Sequence, residues 1–65
     1  MWHVQGFANK QQAVDYQKVN GGTICWEERT PKTKRLTEKG KDYLLAVGAV
    51  GLDKSKYPYV VQRRV

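Results

Sequence analysis

A chain of 65 residues with a net charge of +6 and one cysteine is read as a single domain, residues 1–65, close to the lower limit at which one core offsets chain entropy unaided. Cys25 has no partner for an internal disulfide, and with His3 as the sole histidine there is no zinc-type ligand spacing, so neither a metal nor another cofactor is expected. Catalysis has equally little support, because no Ser-His-Asp order and no carboxylate pair in an apolar setting occurs, and the expectation is a protein that is not an enzyme.

The opening stretch MWHVQGFANK has no basic head followed by an apolar run. The longest apolar segment, Tyr43 to Leu52, is interrupted by Gly48 and Gly51 and is too short to cross a bilayer. A cytoplasmic protein without a membrane partner is the reading, with Cys25 as a small apolar core residue.

Residues 2–7 alternate, Trp2 and Val4 facing one way and His3 and Gln5 the other, which predicts a short half-buried strand. Asn9 then offers a helix cap, with Gln12 three residues on as in a capping box. The helix is expected from Lys10 to Val19, burying Ala13, Tyr16 and Val19, with Asn20-Gly21-Gly22 as its stop. Thr23 to Arg29 reads as a second strand with Ile24 and Trp26 facing the core.

Charge is distributed unevenly. Residues 1–28 set Lys10 and Lys18 against Asp15, Glu27 and Glu28, a net of −1, whereas residues 29–65 set ten bases against Glu38, Asp42 and Asp53, a net of +7. Half of the twelve Lys and Arg residues lie in the connector RTPKTKRLTEKGK, from Arg29 to Lys41. Like charges at that density repel unless solvent or a polyanion screens them, so the connector is exposed and is a candidate contact surface.

The run KDYLLAVGAV, residues 41–50, is apolar on both faces beyond Asp42 and reads as a central strand paired with the second one, the connector being a hairpin excursion between them. An alternative starts a helix at Thr37. The segment LTEKGKDYLLA, residues 36–46, resembles the stretch that closes the wing of winged-helix transcriptional regulators, where a Thr-Glu-x-Gly turn leads into a terminal helix. That resemblance implies a winged-helix-like fragment with Lys32, Lys34 and Arg35 at a wing tip, touching DNA phosphates.

The last segment combines turn chemistry at GLDKSKYP with a strand at YVVQRRV, placed on an edge because Pro58 lacks a donor and Arg63 and Arg64 fit poorly inside a sheet. Tyr57 and Tyr59 are expected on one face of it.

These elements define an α+β domain of order β-α-β-β-β, one helix packed on a mostly antiparallel sheet. Its expected core is Trp2, Val4, Ala13, Tyr16, Val19, Ile24, Trp26, Tyr43, Leu45 and Val47. The expected function is non-enzymatic contact with nucleic-acid phosphates through Arg29, Lys32, Lys34, Arg35, Lys39 and Lys41, helped by Arg63 and Arg64. The alternatives are an accessory factor, of the kind small mobile-element or phage genes encode, that docks on an acidic protein partner through the same charges, or a small structural domain. Formation of a homodimer is compatible with so small a core.

Overall fold

The computed structural model describes residues 1–65 as five elements: β1 (Trp2–Phe7), α1 (Lys10–Asn20), β2 (Thr23–Trp26), α2 (Glu38–Val50) and β3 (Tyr59–Arg64). The α+β class holds, and the three strands form one antiparallel sheet of order β1-β3-β2. Two helices, rather than one, cover it.

Residues 41–50 are the main correction: they lie in α2, not in a central strand. Thr37 caps the helix, its Oγ1 accepting from the Gly40 N–H at 3.3 Å, and Tyr43, Ala46 and Val47 are all buried. Their i, i+3, i+4 spacing is helical, whereas a strand would have buried Leu45, which is 72% exposed. Gly51, at φ 71° and ψ 22°, closes the helix, its N–H bonded to the Val47 carbonyl. Gly48 costs α2 only a helix-propensity penalty of about 1 kcal/mol, too little to outweigh that buried face.

The hairpin before α2 and the start of that helix follow the wing resemblance locally, but the helix-turn-helix of that family is absent and α2 is followed by a further strand. Residues 23–26 form β2 where a second helix of a helix-turn-helix would be needed, and β3 is the middle strand rather than part of a wing. The edge assignment of β3 is therefore also corrected. Pro58 precedes the strand, so its missing donor removes nothing from the ladder.

Strand β3 pairs antiparallel on both sides, Tyr59 opposite Phe7 and Trp26, Gln62 opposite Val4 and Thr23. Val60 and Val61 are both fully buried, and successive strand residues point to opposite faces, so the sheet has a core on each side. On one, Val60 and Cys25 meet Tyr43, Ala46 and Val47 of α2, with Val4, Leu44 and Leu52 around them. On the other, Val61 shares its face with Phe7, whose ring lies 5.2 Å from that of Tyr16 in α1, and Ala13 is fully buried.

Three residues assigned to the core lie outside it. Val19 is 83% exposed, Leu45 72% and Trp2 59%. Ala13 and Gln17 stand four residues apart on one helix face, and Val19 drifts off it. Gln17 takes that place, its side-chain amide donating to the Gly22 carbonyl at 2.8 Å. At the other end of α1, Asn9 caps as predicted, accepting from the Gln12 N–H at 2.9 Å.

Between α2 and β3 a turn is held by Asp53, whose carboxylate accepts from both the N–H and the hydroxyl of Ser55. Those bonds favour the charged form and hold the carboxyl below its ordinary range. The Tyr43 hydroxyl reaches the Lys54 and Tyr57 carbonyls at 3.3 and 3.1 Å, tying this turn to α2.

Candidate functional site

One end of the sheet gathers the carboxyl ends of β1 and β2, the start of β3 and the first turns of both helices. Phe7, Tyr59 and Trp26 are register partners there, and alternation puts all three on the α1 face. The Trp26 and Tyr59 rings are 6.3 Å apart and tilted. With Tyr16 below Phe7 they form a half-buried aromatic row across the sheet end.

Two lysines meet the Trp26 indole. Lys10, the first residue of α1, places its ammonium 5.5 Å from the ring centroid, and Lys39, in the first turn of α2, places its own at 4.6 Å. Each contact is of cation–π type, worth about 0.5–1 kcal/mol at an exposed site. The amino termini of two helices, each with its own partial positive charge, thus adjoin one aromatic surface.

The connector departs from the same end. β2 stops at Trp26 rather than Arg29, and an isolated bridge between Arg29 and Leu36 makes the base of a short hairpin. Thr30 N–H bonds to the Arg35 carbonyl and Lys34 N–H to the Thr30 carbonyl, at 2.9 and 3.0 Å, and the Thr30 and Thr33 hydroxyls are bonded to each other. Lys34 takes the left-handed conformation at φ 58° that closes the loop. Below the bridge, Thr37 N–H bonds to the Glu28 carbonyl at 3.0 Å, joining the hairpin to α2. The expected hairpin therefore forms, but it leads from a strand into a helix.

The sequence-selected cations divide into three sets. Lys32, Lys34, Arg35 and Lys39 are exposed and make no ion pair. Arg29 and Lys41 are engaged internally. The Arg29 guanidinium donates to the Lys34 carbonyl at 2.9 Å and to Glu27 at 3.1 Å, so it positions the hairpin, and Lys41 lies 3.6 Å from Glu38 in an exposed pair that contributes little. Arg63 and Arg64 stand at the far end of β3, opposite His3 and Trp2, about 13 and about 16 Å from Tyr59 at about 3.3 Å per residue. Arg64 lies over the Trp2 ring at 5.6 Å. They do not join the hairpin.

Lys10 was not among the selected residues. Its signal was its place directly after the Asn9 cap and three residues past the end of β1, which turns it toward the strands' carboxyl end. Tyr57 and Tyr59, expected on one face, diverge: Tyr57 packs over Gly6 on the α2 face, while Tyr59 joins the aromatic row.

Cys25 lies behind this end, fully buried. Burial, with a smaller push from Asp42 and an opposing pull from Lys39, raises its thiol to about 11, which leaves it protonated and unreactive at neutral pH. No group of His, Cys, Asp and Glu side chains has metal-binding geometry, and no helix is long and apolar enough to cross a membrane.

The fold and this end of it define a small α+β domain with a basic, aromatic-backed surface. Comparison with protein families, curated proteins and solved structures finds no match, so the functional reading rests on the geometry of that surface.

Proposed function

We propose that the protein is a non-enzymatic nucleic-acid-binding domain that grips the phosphate backbone with the hairpin and the adjoining helix starts. The observation that carries this reading is the convergence of Lys10 and Lys39 on Trp26 beside a hairpin whose Lys32, Lys34 and Arg35 have no acidic partner. Five unpaired cations along one end, Lys10, Lys32, Lys34, Arg35 and Lys39, offer counterion release as the driving force, and hairpin cations carry no base code, so sequence preference is weak. Trp26 supports phosphate contact more than base stacking. Its ring already carries ammonium groups, which a stacking base would have to displace, whereas a phosphate meets them directly.

The test is titration of labelled random-sequence duplex DNA, single-stranded DNA and RNA at low salt, with the parent and with Lys32, Lys34 and Arg35 all changed to Ala. Binding of the parent tighter than the range of about 10⁻⁴ to 10⁻⁶ M typical of non-specific binding at physiological salt is expected, with marked weakening in the triple variant. A parent that binds no nucleic acid even at low ionic strength would transfer the same surface to an acidic protein partner.

A further inference from the structure

We propose that the open edge of β1 is a self-association surface, where a second copy of this chain adds its own β1 antiparallel to make a continuous six-stranded sheet. The Val65 N–H donates to the Met1 carbonyl at 3.0 Å. Bonded and non-bonded pairs alternate along an antiparallel ladder, so His3, Gln5 and Phe7 bond inward to β3. Trp2, Val4 and Gly6 turn their N–H and C=O groups outward, and none of these groups takes part in the backbone bonds of the turns, loops and caps. The strand has none of the usual protections of an edge: WHVQGF contains no Lys, Arg, Asp, Glu or Pro.

The strand's own sequence points to a second copy as the occupant. Pairing about a two-fold axis at Val4 uses every outward group and sets Trp2 opposite Gly6 of the other copy, His3 opposite Gln5, and Val4 opposite Val4. A large aromatic thus faces a residue with no side chain, an imidazole faces an amide, and two valines meet on the axis. Gly6 has its α2 face covered by Tyr57, with a Cβ there only 3.0 Å from that ring, so the incoming Trp2 indole finds an aromatic neighbour. Beside the edge an open groove of about 310 Å³ is lined by Trp2, Val4, Leu45, Ala46 and Ala49 among others, and its rim residues Trp2 and Leu45 are 59% and 72% exposed. The same axis points the two basic hairpins in opposite directions, which keeps these like-charged segments apart, and an isologous pair of this kind closes on itself.

Sedimentation equilibrium of the nuclease-treated full chain, joined to amide hydrogen exchange, tests this without reference to nucleic acid. The expected result is a reversible rise from the 7.5 kDa monomer to twice that mass. Exchange at Val4 and Gly6 should slow as the dimer fills, while Gln5 and Phe7 stay protected at every concentration. Trp2→Lys and Leu45→Lys, both at exposed positions, should each weaken association at least about tenfold with the circular dichroism of the parent retained. A chain that stays monomeric to millimolar concentration, or dimerises with Val4 and Gly6 still exchanging freely, overturns the proposal. A monomer in which those two amides become protected only when an extended peptide is added overturns it in favour of a strand supplied by another protein.

Discussion

Gly40 in the first turn of α2 lies against the backbone of Glu28: a Cβ at position 40 would sit 2.5 Å from the Glu28 carbonyl oxygen and 3.0 Å from the Leu36 side chain. Hydrogen bonds from the Thr37 N–H to the Glu28 carbonyl and from the Thr37 hydroxyl to the Glu28 carboxylate reinforce the same contact. This junction fixes the hairpin base to the helix that carries Lys39.

Gly40→Ala should therefore force the two backbones apart and cost about 2 kcal/mol or more, in the range of overpacked core sites. Gly48, in the same helix, has nothing within 4 Å of its Cβ direction, and Gly48→Ala should stabilise by roughly 0.5–1 kcal/mol through helix propensity alone. Urea denaturation of the pair separates the contact from the propensity, since both variants make the same chemical change. Equal shifts of the midpoint in one direction would contradict the packing.

The Lys39 and Trp26 contact gives a spectroscopic prediction. With Trp2→Phe removing the other indole, emission reports Trp26 alone. Adding duplex DNA at low salt should change that emission as the ammonium groups turn to phosphate, and Lys39→Ala should weaken the response. Emission unaffected by saturating DNA would place the ligand away from this end.

Burial of Cys25 sets an alkaline limit. Its folded thiol is raised to about 11 from an ordinary value of 9.0, so the folded state holds its proton through a window in which the unfolded chain loses it. The stability contribution is complete below pH 9.0 and declines as pH rises toward about 11, by an amount on the order of 2 kcal/mol. Tyr43, also raised, chiefly by burial, acts in the same direction. Cys25→Ala should flatten the part of the decline due to the thiol, measured by urea denaturation across that window. In the native parent the thiol should resist alkylation at pH 8 and react once the chain is denatured.

Much of this fold was legible because local signals agreed with one another. The alternation of β1, the Asn9 cap with its glycine stop, and the turn before YVVQRR each specify an element without tertiary help. KDYLLAVGAV was misread because an apolar run broken by Gly48 and followed by Gly51 fits either period, and Thr37, three residues before the Gly40 amide it caps, was the deciding signal. The central position of β3 could not be read from order along the chain, since a strand that comes last is inserted between the first two only through packing. The hairpin cations were visible as a charge run. Their separation from Arg63 and Arg64, and the convergence of Lys10 with Lys39, depend on that insertion.

The most direct test of phosphate binding at the hairpin end is the dependence of duplex-DNA affinity on salt. The slope of log K against log salt concentration should fall by about 0.9 for each hairpin cation changed to Ala among Lys32, Lys34 and Arg35, because each releases about one counterion equivalent. Arg63→Ala with Arg64→Ala, at the opposite end of β3, should leave the slope unchanged. Contradiction would be an unaltered slope in the hairpin variants, or an equal fall when the two distant arginines are removed.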